Sequence, residues 1–400
     1  MRKTIAIYTL TSELHNEQAV SQATHEFLGS LGFDFDFRGS DFSDYGTHAL
    51  SLIYIRTGGT EGIFRCLLPE LQKQSNSPFY LLTSGKSNSL AASMEILSFL
   101  RQHNLKGEII HGSANYINHR VSLLAQVGEA RRKLNDIRLG IIGKPSDWLI
   151  SSTVDADMVK ERLGINLVEV QMQELLELIG SSIEPGIEGA LRIYDALKVL
   201  VERHNLQGFT LRCFDLLSAV HNTGCMALAK INAERLQAGT NGTGMGYVAG
   251  CEGDVPAMLS MMIVRALLGI SGFQANPSTI DPETGKMIFA HCTIPLDMVE
   301  HYELDTHYES GIGVGIRGYM KEGPVTIFKV SGNLQRHFLA EGTLLRNEAK
   351  PGLCRTQQVI RLNDKCQTAY FLTNPIGNHH IIVPGHHQEL IENMLFPINQ

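Results

Sequence analysis

The sequence alternates short apolar runs with helix-compatible stretches, and this alternation constrains the fold more than any other feature. Between residues 1 and 130, five runs are each followed by helix-compatible sequence: KTIAIYTL, FDFDF, SLIYIR, PFYLLTS and EIIHG. Parallel strands need long crossover connections, so the pattern is typical of a parallel sheet covered by helices. The clearest helix lies before EIIHG, because Leu90, Met94, Leu97 and Leu100 recur there at helical spacing.

A second series of the same kind begins at Arg138. It comprises the runs RLGIIG, INLVEV, FTLRCF, GYVAG and FQA, with helices between them. From about Met287 the sequence changes to short β-like runs separated by Gly, Pro and Asn turns: MIFAHCTIP, HYELDTHY, GVGIRGYM, PVTIFKVSG, HFLAEGTLL, QQVIRL and AYFLT. These runs have no helix-length stretch among them, which predicts an antiparallel sheet or barrel. The segment HHQELIENMLF predicts a short closing helix.

These patterns predict an α/β protein of three domains. Residues 1–136 form an N-terminal α/β domain and residues 137–286 a second one, each with a flavodoxin-like or Rossmann-like parallel sheet. Residues 287–400 form a C-terminal antiparallel β-barrel domain with the closing helix. A chain of 400 residues fits this number, because domains typically hold about 100–200 residues.

Charge and apolar content exclude several classes of protein. The 34 Lys and Arg residues against 41 Asp and Glu give a net charge of −7, and no long basic run occurs, so a nucleic-acid partner has no electrostatic support. No segment approaches the about 18 consecutive apolar residues of a membrane span, and the N-terminus predicts a first strand instead of a signal peptide. The seven cysteines are scattered without a CxxC pair, which favours a reduced, cytoplasmic protein.

Three candidate sites follow predicted strands, where open α/β sheets place their ligands. The first is Cys251-Glu252-Gly253-Asp254, between GMGYVAG and the helix VPAMLSMMIVRALLG. Asp254 is best interpreted as the N-cap of that helix, with Pro256 near its first turn. Glu252 precedes the cap on a loop that the flanking glycines make narrow. We expect its carboxylate to point into the cleft between domains.

The other two sites lie further along the chain. The strand FQANPSTID presents Asn276 and Asp281, although Asn-Pro-Ser alone is typical of a turn. His291 and Cys292 lie in the apolar run MIFAHCTIP, where a hydrogen-bonded core histidine is a better interpretation than a ligand.

Near the C-terminus, Asn378-His379-His380 and Gly385-His386-His387 place four histidines within nine residues. Imidazole suits divalent metals, so a carboxylate with one or more of these histidines is a plausible ligand set, and a solvated cluster is the alternative.

Two glycine-rich segments do not support a nucleotide cofactor. Thr57–Gly62 (TGGTEG) follows SLIYIR, and Gly140–Trp148 (GIIGKPSDW) opens the second series, but neither matches GxGxxG or a Walker loop. The motifs GxSxG, HExxH and the P-loop do not occur. Cys225 and Cys251 have no histidine nearby in sequence that would favour a thiolate nucleophile.

The ordered combination of CEGD, FQANP, AHC and GNHH with GHH resembles the L-fucose isomerase and L-arabinose isomerase superfamily, as does RLGIIGKPSDWLISS at the start of the second domain. The resemblance covers nearly the whole chain, which is similar to compact fucose isomerase-like proteins. It implies two flavodoxin-like domains followed by an antiparallel barrel. It also implies a homo-oligomer, a trimer or a hexamer, in which the N-terminal domain, with TGGTEG, covers a neighbour's site.

The resemblance further implies a set of active-site residues. One divalent metal, usually Mn²⁺, would be held by Glu252, Asn276 and His379. The first two positions would act as acid and base, moving a proton between C1 and C2 of an open-chain sugar through an enediol. The residues implied to bind the substrate are Arg212, Asp215, Thr293 and Asn378.

Asn276 departs from the superfamily pattern, which has a second acidic residue at this position. An amide oxygen can coordinate a metal, but an amide cannot accept the proton that aldose–ketose isomerisation moves. Asp281, Asp254 or a water molecule would then replace the second carboxylate, and the sequence leaves these alternatives open.

The leading hypothesis is a metal-dependent aldose–ketose isomerase acting on a deoxy or pentose-like sugar. The alternative is a catalytically altered or non-catalytic sugar-binding protein on the same fold. An oxidoreductase is disfavoured because the dinucleotide fingerprint is missing. The expected partners are a monosaccharide and further copies of the chain, with no nucleic acid and no membrane.

Overall fold

The computed structural model describes residues 4–75, 77–152, 154–180, 183–234 and 245–395. The chain divides into two compact units. The first unit holds the residues up to Arg132 together with 393–395, and the second holds Lys133–Glu392. Lys3 and Phe396, in the predicted first strand and closing helix, lie outside the described residues.

The first unit contains a five-stranded parallel sheet. Its strands are β1 (Ile5–Leu10), β2 (Asp36–Gly39), β3 (Leu50–Ile55), β4 (Phe79–Thr83) and β5 (Gly107–Ile110), in the order β2-β1-β3-β4-β5. Its helices are α1 (Glu17–Gly29), α2 (Glu61–Gln74), α3 (Ser89–Gln102) and α4 (Ala114–Leu134). The five predicted strands are confirmed, but turns and not a helix join β2 to β3.

Helix α3 is confirmed, although its buried face differs from the one that the leucine spacing suggests. Ala92, Ser93, Ile96 and Leu100 are buried, whereas Met94 is 56% exposed. The small side chains of Ala92 and Ser93 let the helix lie close to β3 and β4, against which it packs. A count of leucines and methionines does not detect a face built partly from small residues.

The second unit begins with a four-stranded parallel sheet. Its strands are β6 (Arg138–Ile142), β7 (Asn166–Val170), β8 (Gly208–Leu211) and β9 (Val248–Cys251), in the order β7-β6-β8-β9. The helices connected to it are α5 (Ala156–Leu163), α6 (Met172–Ile179), α7 (Ile187–Arg203), α8 (Asp215–Val220), α9 (Cys225–Ala233) and α10 (Val255–Leu268).

The same unit ends with a closed, antiparallel barrel. Its six strands are β10 (Phe273–Asp281), β11 (Lys286–His291), β14 (Gly323–Val330), β15 (His337–Glu348), β16 (Thr356–Leu362) and β17 (His380–Pro384), in the order β10-β11-β16-β15-β14-β17. The strands β12 (His301–Asp305) and β13 (Gly315–Tyr319) form a separate two-stranded sheet. Two short helices, α11 (Thr368–Thr373) and α12 (Gln388–Leu395), complete the chain.

Helix α10 lies between the sheet and the barrel, is buried from Val255 to Leu267, and is apolar apart from Ser260 and Arg265. It packs against β8 and β9 of the sheet and against β10, β14 and β17 of the barrel. The Oδ1 atom of Asp254 accepts a hydrogen bond from the N–H of Ala257 at 2.9 Å, which confirms the predicted N-cap.

Neither α10 nor another helix in the described part of the chain is long and apolar enough to cross a membrane.

The predicted fold class is confirmed, with two corrections in the second unit and one strand that the sequence pattern did not predict. Phe273–Asp281 does not extend the parallel sheet, since it pairs antiparallel with β11 and β17. The run AYFLT lies in helix α11, and the residues after His379 form strand β17. Short apolar runs do not reveal these environments, because their partners come from distant parts of the chain. The predicted domain boundaries at residues 136 and 286 stay a prediction.

Candidate metal centre

Three buried side chains from different elements converge in the second unit. Glu252 directly follows β9, His291 ends β11, and His379 directly precedes β17. The Oε1 atom of Glu252 lies 3.4 Å from Nε2 of His379 and 3.7 Å from Nε2 of His291. One ligand atom of each residue lies within 4.8 Å of the other two, so these residues, here called the Glu-His-His cluster, could hold a metal ion.

A tight turn delivers Glu252 to this cluster. Glu252 has a φ of 62° and Gly253 a φ of 70°, which makes two successive left-handed residues. Such a conformation costs a non-glycine residue about 1–3 kcal/mol and is often found at functional sites. A Cβ atom on Gly253 would stand 2.6 Å from the carbonyl oxygen of Lys144, so only glycine fits there. The N–H of Ser146 donates to the carbonyl of Glu252 at 3.0 Å and holds the turn.

Both histidines direct Nε2 toward Glu252 because their Nδ1 atoms have other partners. Nδ1 of His379 donates to Oδ2 of Asp254 at 2.9 Å, and Nδ1 of His291 lies 2.9 Å from the hydroxyl of Thr293. Hydrogen bonds of this kind fix the tautomer and the ring orientation of metal-ligating histidines. Nε2 of His379 is buried without a hydrogen-bond partner, which fits an atom that binds a cation. One carboxylate and two imidazoles suit a divalent transition metal.

Asp254 connects the cluster to a buried ion pair. Its Oδ2 atom lies 3.3 Å from Nζ of Lys329, and both side chains are at most 1% exposed. Burial would raise the pKa of Asp254, but Lys329 and His379 outweigh burial and hold that pKa below its usual range. Because Oδ1 also caps α10, both oxygens are engaged. Asp254 therefore orients His379 and is not free to exchange protons with a substrate.

Glu252 and His379 stabilise each other's charged forms. Burial alone would raise the pKa of Glu252, yet His379 and His291 hold it well below its usual range. Burial would lower the pKa of His379, but Glu252 and Asp254 outweigh burial and raise that pKa to about 9. A metal binds the neutral imidazole, so a cation at Nε2 would displace the proton of His379.

The other carboxylate oxygen of Glu252 is bound by Trp148. Nε1 of Trp148 donates to Oε2 of Glu252 at 2.8 Å. In the sequence this segment is a weak nucleotide motif and part of the superfamily resemblance, and neither interpretation gives the tryptophan a role. The signal that could have found it is its position after the first strand of the second series, at the same sheet edge as Glu252.

Arg212 fastens the loop that carries Trp148. Its guanidinium donates to the carbonyl of Pro145 at 3.0 Å and to both oxygens of Asp147, at 2.8 and 3.1 Å. Its Nε donates to Asp215 at 3.0 Å. Arg212 and Asp215 were expected to bind substrate, and in the structure they bind each other and this loop. A contact of either residue with substrate stays a prediction.

Asn276 lies close to the cluster. It pairs with Ala290, directly before His291, and follows Ala275, which pairs with His380, directly after His379. Residues two apart in a strand share a face, so Asn276 also shares a face with Gln274. The amide of Gln274 bonds to the N–H and the carbonyl of Cys251, at 2.9 and 3.2 Å, directly before the glutamate. The Oδ1 atom of Asn276 is buried without a hydrogen-bond partner, and its role as a metal ligand stays a prediction.

Of the four C-terminal histidines, His379 belongs to the cluster. In His380, His386 and His387, one ring nitrogen instead contacts a backbone carbonyl outside it. His291, which the sequence favoured as a core histidine, is buried as expected but also lies in the cluster. Its position at the end of a strand is the signal that could have identified it.

The last two predicted substrate-binding residues lie within two positions of cluster members in sequence. Thr293 supports His291 through the hydrogen bond described above. Asn378 directly precedes His379, and its backbone carbonyl accepts a hydrogen bond from His380 at 3.0 Å. For both residues a contact with substrate stays a prediction.

Comparison with known proteins gives distant relatives. No family model matches the chain. It is 23% identical over 273 residues to proteins named sulfoquinovose isomerase from Priestia aryabhattai and Priestia megaterium, a match that covers 61% of this chain and 59% of each relative. It is 22% identical over 234 residues to a sulfoquinovose isomerase of Clostridium sp., covering 52% of this chain and 48% of that protein. The chain thus spans between about half and three fifths of the length of the curated relatives it matches.

Proposed function

We propose that the chain is an aldose–ketose isomerase that acts on a monosaccharide and depends on a divalent metal. The observation that carries the proposal is the buried Glu-His-His cluster, in which two Nε2 atoms face one carboxylate oxygen. Similarity to proteins named sulfoquinovose isomerase supports the reaction class. The succession of two parallel sheets and a closed barrel agrees with the fold that the superfamily resemblance implies.

In the proposed reaction Glu252, His291 and His379 would hold the metal, for which we propose Mn²⁺. When bound, the cation would supply positive charge that stabilises the oxygens of the reacting sugar. Glu252 moves a proton between C1 and C2 of the open-chain sugar through an enediol. Asp254 keeps a proton on Nδ1 of His379, and Trp148 holds Oε2 of Glu252, which leaves Oε1 as the oxygen on the reaction side.

A second group must handle the hydroxyl proton, and the candidates from the sequence do not suit this role. Asn276 carries an amide. Asp254 has both oxygens engaged, as described above. Asp281 lies at the end of β10 and accepts hydrogen bonds from the N–H groups of Glu283 and Thr284, so its carboxylate caps a turn.

We propose Glu309 as the second acid and base. It lies in the loop between β12 and β13, with Oε2 3.6 Å from Nε2 of His307. Burial and the charge of Glu252 raise the pKa of Glu309, which is the direction expected of a carboxyl group that gives and takes a proton. Changing Glu309 to Gln should lower the turnover number about 10²–10⁴-fold, the usual contribution of general acid–base catalysis, and leave bound Mn²⁺ unchanged.

A non-catalytic sugar-binding protein is the second candidate function. The amide of Asn276 favours it, because the superfamily pattern has a proton-transferring group there. Such a protein would bind Mn²⁺ and a sugar without forming a ketose from an aldose.

We also propose that the chain forms a homo-oligomer, a trimer or a hexamer, as the resemblance implies. Sedimentation velocity tests this directly. A stable monomer at micromolar concentration would contradict it.

The isomerase proposal is tested by metal analysis and a sugar panel. Purified protein loaded with Mn²⁺ is assayed with L-fucose, L-arabinose and sulfoquinovose, in parallel with Glu252→Gln and His379→Ala. We expect one bound Mn²⁺ per chain and conversion of at least one aldose in wild type, with both lost in the variants while thermal unfolding remains cooperative. A wild-type protein that binds no divalent metal after Mn²⁺ addition would refute the assignment.

A further inference from the structure

Trp148 combines two properties that seldom occur together. Its Nε1 is fixed by a 2.8 Å hydrogen bond to Oε2 of Glu252, yet its side chain is 51% exposed. It is the one tryptophan of the 400-residue chain. A large aromatic side chain with a bonded polar edge and an open face is typical of a binding surface, because burial would otherwise be favourable.

The indole ring is also held by an aromatic neighbour. Phe214 packs against it edge to face, with ring centroids 4.9 Å apart and planes at 82°. Phe214 in turn packs against His307 at 5.5 Å and 79°. A row of three rings thus runs from Glu252 toward the loop that carries Glu309. The exposed part of this row is the indole, since Phe214 is half-buried and His307 is buried.

The backbone beneath the indole is also fixed. Asp147, directly before Trp148, accepts two hydrogen bonds from the guanidinium of Arg212, which also binds the carbonyl of Pro145. These contacts order the loop without covering the indole. The exposed face is therefore preorganised, and a ligand that contacts it loses little free energy in ordering it.

A monosaccharide has the chemistry to use such a surface. Its ring or chain carries C–H groups on one side that pack on an aromatic face, while its hydroxyls remain free for polar partners. We propose that the exposed face of Trp148 binds the C–H side of the sugar, while its N–H fixes Oε2 of Glu252 and so positions Oε1 for proton transfer. This inference rests on the proposed function.

Two variants separate the roles of the face and the N–H. Trp148→Phe keeps an aromatic face and removes the donor, so we expect kcat to fall about tenfold, the effect of losing a hydrogen bond to a charged group, with KM within about threefold of wild type. Trp148→Gln keeps a donor and removes the face, so we expect KM to rise about tenfold with a smaller change in kcat. Tyr302→Ala is the matched control, because Tyr302 is 46% exposed in the same unit but lies in β12, and it should change neither constant.

The single tryptophan supplies a readout that does not depend on catalysis. Its fluorescence emission should shift when L-fucose, L-arabinose or sulfoquinovose is added to the Mn²⁺-loaded protein, and Tyr302→Ala should show the same shift. Thermal unfolding of each variant checks the fold.

The outcomes distinguish this inference from the proposed function. If wild type isomerises no sugar, the proposed function fails, and the emission titration still decides whether Trp148 contacts sugar. If wild type isomerises a sugar but the emission does not shift and both Trp148 variants retain wild-type kcat and KM, the inference is overturned and the isomerase assignment stands. An emission shift together with the predicted division between kcat and KM supports the inference.

Discussion

At the residue scale, the site depends on how the two oxygens of one carboxylate are used. Trp148 binds Oε2 of Glu252, and the Nε2 atoms of His291 and His379 face Oε1. Each histidine is oriented through its other ring nitrogen, so no member of the cluster can rotate without breaking a hydrogen bond. Preorganisation of this kind is what metal sites need, because it removes the cost of assembling the ligands.

The side chain at position 276 should set the affinity for metal. Asn276→Asp adds a negative charge at the position that pairs with Ala290, directly before His291. We therefore expect Mn²⁺ to bind at least about tenfold more tightly, since ligand charge controls the affinity for cations. We also expect faster isomerisation of at least one sugar. Isothermal titration calorimetry measures the affinity, and Asn333→Asp, in an exposed turn, is the control. Equal affinity of Asn276→Asp and wild type would mean that Asn276 does not face the ion.

The buried pair of Lys329 and Asp254 predicts strong energetic coupling. Lys329→Met leaves the carboxylate without its lysine partner, and the unfolding free energy should fall by about 3–5 kcal/mol. Adding Asp254→Asn, which keeps an oxygen for the N-cap, should restore part of the loss. Urea unfolding of both single variants and the double variant, with EDTA present, measures the coupling. Strictly additive losses would show that the two groups do not interact.

Sequence reasoning found part of the site and missed the rest for a physical reason. The sequence identifies Glu252 and His379 as candidates, because each is an acidic or imidazole residue in a loop next to a predicted strand. His291 lies in an apolar run, where burial is the better expectation, and burial is indeed observed. What distinguishes His291 is that the end of β11 lies close to Glu252, about 40 positions earlier, and to His379, about 90 positions later. One-dimensional spacing carries no information about such contacts.

At the scale of elements, both ends of helix α10 carry a left-handed glycine, and they serve different purposes. Gly253 has a φ of 70° and Gly269 a φ of 68°. A Cβ on Gly253 would meet the Lys144 carbonyl at 2.6 Å, while a Cβ on Gly269 would have nothing within 4 Å. The first glycine permits close packing beside Glu252, and the second ends the helix.

This difference gives a matched pair of variants. Gly269→Ala should lower the unfolding free energy by about 1–2 kcal/mol, the cost of the left-handed conformation. Gly253→Ala adds a clash that moves the turn of Glu252, so it should destabilise the protein further and also weaken Mn²⁺ binding. Urea unfolding and calorimetry of both variants test this. Equal Mn²⁺ affinity of the two variants would contradict the role assigned to the Gly253 turn.

The sequence predicts the elements well where its periodicity is strong. The alternation that marks β1 to β9 is confirmed except between β2 and β3, because most of these strands are apolar and long helices such as α3 and α7 show their own spacing. The FQA run of β10 was assigned to the wrong sheet, since apolar residues facing a barrel interior and apolar residues in a parallel strand look alike. The AYFLT run was mistaken for a strand because a helix of six residues is too short to show helical periodicity.

At the scale of the whole molecule, the second unit alone contains every member of the cluster. Helix α10 packs on the parallel sheet that provides Glu252 and on the barrel that provides the two histidines. The cluster therefore forms only when sheet, helix and barrel are folded together. This arrangement explains how three residues distant in sequence form one preorganised site.

In the proposed function this cluster, loaded with a divalent metal, moves a proton between C1 and C2 of a sugar. The most direct measurement is NMR of L-fucose, L-arabinose or sulfoquinovose incubated in D₂O with the Mn²⁺-loaded protein. We predict ketose signals together with deuterium at the reacting carbon, both abolished by EDTA, restored by Mn²⁺ and missing with Glu252→Gln. Unchanged aldose with all its carbon-bound protons retained, in protein shown to contain Mn²⁺, would contradict the account.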